Sequence, residues 1–267
     1  MDGIRSRTGL SRRIALTREV SDSLARCELT HLERGAIDVE RARAEHGAYE
    51  EVLRAAGCEV RRLPAEPEMP DAVFVEDTAV VLDELAVVTR PGAVSRRGEV
   101  ASVAAVLAAL RPLKTIEPPA TLDGGDVLVI GRRIFVGLST RTSAAGARQL
   151  AGAVAPHGYA VETLAVKSCL HLKTAVTRVA PSTVLLNPAW IDAGAFAGYA
   201  TIEVHPDEPW GANALAIGGA VVYPTAFPRT RDRLEALAID VRTVDASELA
   251  KAEGGVTCCS LVLEPGP

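Results

Sequence analysis

No stretch of the 267-residue sequence stays apolar long enough to cross a bilayer; runs such as residues 101–110 stop well short of the roughly 20 residues a spanning helix needs. The basic opening, Met1 to Arg13, is not followed by the apolar core of a secretory signal, so a cytoplasmic protein without a membrane partner is expected. There is no basic excess either. Lys and Arg number 29 against 34 Asp and Glu, giving a net charge of -5, which argues against a general affinity for nucleic acid and suits a small cationic ligand better. The five cysteines, Cys27, Cys58, Cys169, Cys258 and Cys259, lack the paired spacing of a disulfide framework or a zinc site. Reduced thiols are expected, with no metal and no cofactor, and one thiol is available for chemistry.

What remains is a globular composition, 48% apolar and 24% charged, able to bury a large core. One domain spanning residues 1–267 is expected.

The chain is built from a repeat of a strand, a turn, a second strand and a helix. In the clearest copy, residues 74–82 read as a strand, Asp83-Glu84 as a hairpin turn and residues 85–89 as the partner. Arg90-Pro91-Gly92 then breaks the sheet, Ser95 stands at a helix N-cap position, residues 99–110 carry helical spacing, and extended structure resumes at 114–116. A second copy runs through 124–130, the turn Gly131-Arg132, 134–137 and a helix at 143–154. A third starts near His171 with strands at 174–179 and 183–186. A fourth starts near Asn213 with strands at 214–217 and 220–223 and a helix around 229–237. The fifth is split: residues 258–263 supply a closing strand, while strand 13–16 and a helix around 38–56 come from the other end of the chain. Units that cannot bury their apolar faces alone must stack, and a last unit shared between both ends closes a ring. This gives an α/β fold, a five-bladed propeller of ββαβ units. An open doubly wound sheet is the alternative, but it would alternate single strands with helices.

Polar residues interrupt the apolar strands at matching places, Asp77, Asp126, His171, Asn213 and Cys258, at intervals of roughly 45 residues. In a ring these positions converge on the axis, so a thiol, an imidazole and two carboxylates face one cavity. A thiolate attacks carbon, a histidine moves protons near neutral pH, and paired carboxylates hold a cation. The same acids would oppose an acyl oxyanion, whereas a planar guanidinium matches them. Each residue has a plainer reading alone: Cys258 as a packed strand cysteine, Asp126 as a turn residue, His171 as a core histidine, Asp77 as a loop anchor. Their common register joins them.

Six ordered blocks also resemble a known family: 70–77 (PDAVFVED), 89–92 with Ser95-Arg96-Arg97, 122–128 (LDGGDVL), 136–139 with Arg141-Thr142, Leu170-His171-Leu172-Lys173, and Thr257-Cys258-Cys259-Ser260. The sequence is similar to the dimethylarginine dimethylaminohydrolases across most of its length, least so in the first dozen residues and between Val184 and Val204. The resemblance implies the pentein propeller, hydrolysis of methylated arginine to citrulline, Cys258 as nucleophile and His171 as proton donor. It implies that Asp77 and Asp126 grip the guanidinium, and that Glu76, Asp71, Arg96, Arg141 and backbone groups at Leu29 and Ala252 contact the substrate, the two arginines holding its α-carboxylate and Asp71 its ammonium. Strand alternation lets only one of the adjacent cysteines face the cavity, and the repeat register favours Cys258 over Cys259. Arginine deiminases resemble the chain too but carry an extra helical insertion for which this length leaves no room. A non-catalytic pentein is the remaining alternative. A homodimer is compatible with the sequence but not demanded by it.

Overall fold

The computed structural model describes residues 12–265; most of the basic opening segment therefore lies outside the described residues. The chain forms five three-stranded sheets of one design. Strand β1 (Arg13–Arg18) leads through helix α1 (Val39–Ala55) to β2 (Cys58–Leu63). The next unit is β3 (Ala79–Val81), β4 (Ala86–Val88), α2 (Val100–Ala108) and β5 (Leu113–Thr115). It is followed by β6 (Val127–Ile130), β7 (Arg133–Leu138), α3 (Ala144–Val154) and β8 (Ala160–Ala165). After the single turn α4 (Leu172–Ala175) come β9 (Val176–Ala180), β10 (Thr183–Leu186) and β11 (Ala200–Glu203). Last come β12 (Leu215–Ile217), β13 (Ala220–Pro224), α5 (Pro228–Glu235) and β14 (Asp240–Val244), then α6 (Ser247–Ala250) and β15 (Leu261–Leu263).

In every sheet the first strand is antiparallel to the second and the second parallel to the third. The split unit is real: β15 pairs antiparallel with β1, Ile14 opposite Leu263. A two-residue hairpin at Gly218-Gly219 has φ of 60° and 86°, a backbone only glycine adopts freely, and it joins β12 to β13 with the twist of the sheet. Parallel second and third strands need a crossover, and helices supply it in four units. The unit of β9 to β11 has only a 3-10 turn, Ala193–Phe196, in that place.

The helices bury one face between neighbouring sheets. On α3, capped by the Ser143 side chain accepting from the Gly146 N–H, Ala147, Leu150 and Val154 pack with Val127, Ile134 and Val136 of its own sheet and Val80 and Val87 of the preceding one. Each such buried side chain is worth about 1.5–3 kcal/mol, and sharing them between units is what holds the ring together. On α1, Asp38 caps the start and Ala42, Tyr49 and Leu53 face inward. The five first strands enclose an axial channel of about 180 Å³ walled by Val80, Leu128, Thr177, Leu215 and Val262 among others. Among the described residues no helix is long and apolar enough to cross a membrane.

The first strands start later than the sequence pattern implies. Residues 75–78 and 124–126 are 3-10 turns, 172–175 is a helical turn, and Cys258 lies in a turn before β15. The common polar position is therefore a bend at the mouth of the ring. At one of these bends two units approach closely: a Cβ on Gly124 would collide with the Glu76 carbonyl oxygen. Ser95 is likewise not a cap; it lies within a 3-10 turn, Val94–Glu99, and its hydroxyl donates to Glu28 at 2.5 Å.

Candidate active site

The turns bring together a cleft lined by Cys258, His171, Asp77, Asp71, Arg96 and Arg141. Cys258 is held from both sides. The Glu76 N–H donates to its carbonyl at 3.1 Å, and the Gly255 N–H points at its Sγ at 3.3 Å. The neighbouring Thr257 donates its hydroxyl to Glu76 and its N–H to the side chain of Asn213, which in turn donates to the Lys173 carbonyl. Asn213 thus fastens the turn of one unit to that of another. Cys259 points the other way, into the core around Tyr49, and is 2% exposed. The choice between the two thiols rests on this turn, because β alternation does not extend to Cys258.

His171 stands before α4 with its ring between two carboxylates: Nε2 is 3.0 Å from Asp123 Oδ2 and Nδ1 is 3.8 Å from Asp77 Oδ1. Burial opposes the imidazolium, but Asp77, Asp123 and Asp126 outweigh it and raise the pKa to about 9. The Cys258 thiol is pushed up to about 12 by burial, with Glu76 and Asp77 adding to the rise. Without a ligand, the pair at neutral pH is therefore imidazolium and thiol. Burial opposes ionisation of Asp77 too, yet His171 and Arg96 hold its carboxyl well below the usual range. Gly125 is indispensable to this arrangement. Its N–H donates to Asp77 at 2.9 Å, and a Cβ there would meet His171 Nδ1 at 2.6 Å and Asp77 at 2.8 Å.

Asp123, which the repeat register passed over in favour of Asp126, is the acid beside the histidine. Its other oxygen accepts from the Gly92 N–H at 2.8 Å. Asp126 stands behind the site instead: it accepts from the Leu172 N–H at 2.9 Å and the Ser139 hydroxyl at 2.6 Å, and burial raises its pKa to about 6. That placement corrects the expectation that Asp126 grips a cation; it fixes the backbone that carries His171. Arg96 lines the cleft beside Arg141 and is also tied into its wall: its Nη1 is 2.6 Å from Asp77, its Nε and Nη2 reach Glu99, and Nη2 also reaches the Phe74 carbonyl. Arg141 donates to the Thr30 hydroxyl at 2.9 Å. Burial raises the Asp71 pKa, and its carboxylate accepts from the Glu28 N–H. Ala252 lines the cleft, whereas Leu29 packs on the adjoining core and its neighbour Glu28 takes the lining position. Glu76 pairs with Lys173 at 2.5 Å at the end of the axial channel.

The cleft holds only about 20 Å³, room for one water. Segment 30–32 borders it, with the Thr30 hydroxyl accepting from Arg141, and is tied by the N–H groups of Thr30, His31 and Leu32 to the carboxylate of Glu253, which itself has a φ of 58°. Asp77, Asp123 and His171 offer ligand atoms within 4.8 Å of one another, a geometry that can also hold a cation.

The arginine deiminase family profile matches residues 67–210. A dimethylarginine dimethylaminohydrolase of Streptomyces coelicolor is 40% identical over 251 residues, covering 93% of this chain and 96% of the relative. The Pseudomonas aeruginosa dimethylarginine dimethylaminohydrolase, solved as a cysteine-to-serine variant with citrulline, superposes with a TM-score of 0.90 at 32% identity, covering 96% and 100% of the two chains. A dimethylarginine dimethylaminohydrolase histidine-to-glycine variant, an adduct with S-methyl-L-thiocitrulline, superposes with a TM-score of 0.90 at 31% identity, covering 95% and 99%. Five sheets around an axis, with a thiol and a carboxylate-flanked histidine at its mouth, define the guanidine-modifying propeller class, the penteins. Within that class the chain belongs to the dimethylarginine dimethylaminohydrolase family.

Proposed function

We propose that the protein hydrolyses Nω-methylated arginines, releasing methylamine or dimethylamine and citrulline. The observation that carries this is the meeting of Cys258 with an imidazolium, His171, and an ionised acid, Asp77, in one buried cleft.

The two acids that disfavour a thiolate in the empty site favour a cation. A bound guanidinium offsets Glu76 and Asp77 and lowers the thiol pKa, so the substrate itself promotes loss of the Cys258 proton to solvent. The thiolate then adds to the guanidinium carbon. His171 gives its proton to the alkylated nitrogen, the C–N bond breaks, and a neutral amine leaves a cationic S-alkylthiouronium behind. Neutral His171 next takes a proton from water as the oxygen adds to the same carbon. The C–S bond breaks, the hydroxyl proton returns to sulfur, and citrulline departs. Asp123 sets the orientation and charge of the ring throughout, Asp126 the backbone beneath it. At the other end of the substrate, Arg141 suits the α-carboxylate and Asp71 the α-ammonium.

The test is product identification with dimethylarginine, monomethylarginine and arginine. Citrulline with alkylamine supports the proposal; no citrulline from any of them refutes it. Hydrolysis of arginine itself is the second reading, favoured by the arginine deiminase profile, and release of ammonia in preference to alkylamine would establish it. A cytoplasmic setting goes with the proposal, since all five cysteines are free thiols and suit a reducing compartment.

A further inference from the structure

A second cavity meets the cleft at the nucleophile. It is about 270 Å³ and is walled by Leu32, Leu170, Pro224, Trp210 and Phe227, with Cys258 on its inner side. The cleft beyond Cys258 holds about 20 Å³ and carries the charged groups, Asp71 and Arg141 among them. The thiol therefore stands between a narrow charged cleft, which has to widen to admit an amino-acid head, and an apolar room several times larger than an N-methyl group requires.

We infer that this cavity is a subsite for the Nω-substituent, and that the protein accepts arginines carrying linear alkyl groups of three or four carbons as well as methyl. The inference rests on the reaction proposed above. With the guanidinium carbon at Sγ and the substrate's α-carbon toward Arg141, the nitrogen that departs faces the apolar side. The same chemistry applies: sulfur attacks carbon, the C–N bond to the alkylamine breaks, and the leaving nitrogen takes the His171 proton. Burying a methylene in such a wall favours binding by roughly threefold to fourfold, whereas a pocket shaped to a methyl group loses tenfold or more for each added carbon.

The sequence contains two tryptophans, and Trp190 stacks edge-on against Trp210 with ring centres 4.6 Å apart. Tryptophan fluorescence therefore reports on this cavity without turnover. Two measurements test the inference: kcat/KM for the Nω-methyl, ethyl, propyl and butyl arginines, and the fluorescence response to butylammonium. Each is made on the natural protein and on Ala226→Phe, which fills the cavity from an exposed turn. The expected result is a kcat/KM that holds or rises from methyl to butyl and a saturable fluorescence change. In Ala226→Phe the fluorescence change is lost, and kcat/KM falls further for the longer substrates than for methylarginine. A tenfold fall per added carbon without a fluorescence response overturns the inference. Saturable butylammonium binding with no turnover of any alkylarginine supports the subsite and overturns the proposed reaction instead.

Discussion

Asp123 and His171, 48 residues apart in sequence, meet at 3.0 Å across two units of the ring, and the pair is buried. The carboxylate keeps the imidazole protonated and aimed. The proton donor should therefore be lost as pH rises through about 9, so kcat/KM falls on an alkaline limb there. Asp123→Asn removes the anion and moves that limb to lower pH. The same ring links pH to folding. A raised histidine pKa adds stability that is complete below its unfolded value near 6.5 and is lost as pH climbs through about 9. NMR titration of the His171 ring in both proteins checks the shift; an unmoved limb contradicts the pairing.

Gly125→Ala should remove most activity. The added methyl group would lie 2.6 Å from the histidine ring nitrogen, so His171 or Asp77 must move. A displacement of this size at a catalytic group is worth on the order of 100-fold, and the crowding costs about 1–3 kcal/mol in a denaturant titration. Wild-type rates in the variant would contradict the placement of His171 and Asp77.

Arg96→Met should lower stability, and activity with it, because Arg96 lines the cleft and helps hold Asp77 ionised. It leaves Asp77 and Glu99 buried without their shared cation, a change that costs about 3–5 kcal/mol. A denaturation midpoint equal to the wild type would show that Arg96 is not the buried counter-ion described above.

The glutamate that ties down segment 30–32 offers a separate test. Glu253→Gln keeps the shape but weakens three charge-assisted hydrogen bonds from Thr30, His31 and Leu32. KM should rise several-fold, with faster amide exchange at those three residues and little change in kcat. Unchanged exchange would contradict the anchoring role.

The ring was legible because a sequence period and a split last unit constrain topology strongly: Ile14 does pair with Leu263. The convergence of Cys258, His171 and Asp77 followed from the same period. What the period could not show is which of two acids three residues apart turns inward. Asp126 holds the register position, yet the 3-10 turn at Gly124 to Asp126 sends its side chain to Leu172 and Ser139 and leaves Asp123 at the histidine. The glycine pair before Asp126 was the available signal: two residues without side chains mark a close approach of other atoms, here Glu76, His171 and Asp77. The buried contacts of Arg96 are hidden for a related reason. Sequence shows a basic residue near a site but not the acids, Asp77 and Glu99, that it meets when buried. Glu253 acts through contacts with the distant segment 30–32 and carries no local pattern.

The reaction passes through a covalent intermediate on Cys258 in this mechanism, and mass spectrometry of protein quenched during turnover detects it. In His171→Ala, where hydrolysis of the intermediate is slowed, dimethylarginine should leave a thiouronium adduct on the peptide that holds Cys258 and Cys259. The adduct should persist in Cys259→Ser and vanish in Cys258→Ser. An adduct that follows Cys259 instead, or citrulline formed by Cys258→Ser at the wild-type rate, would contradict the account.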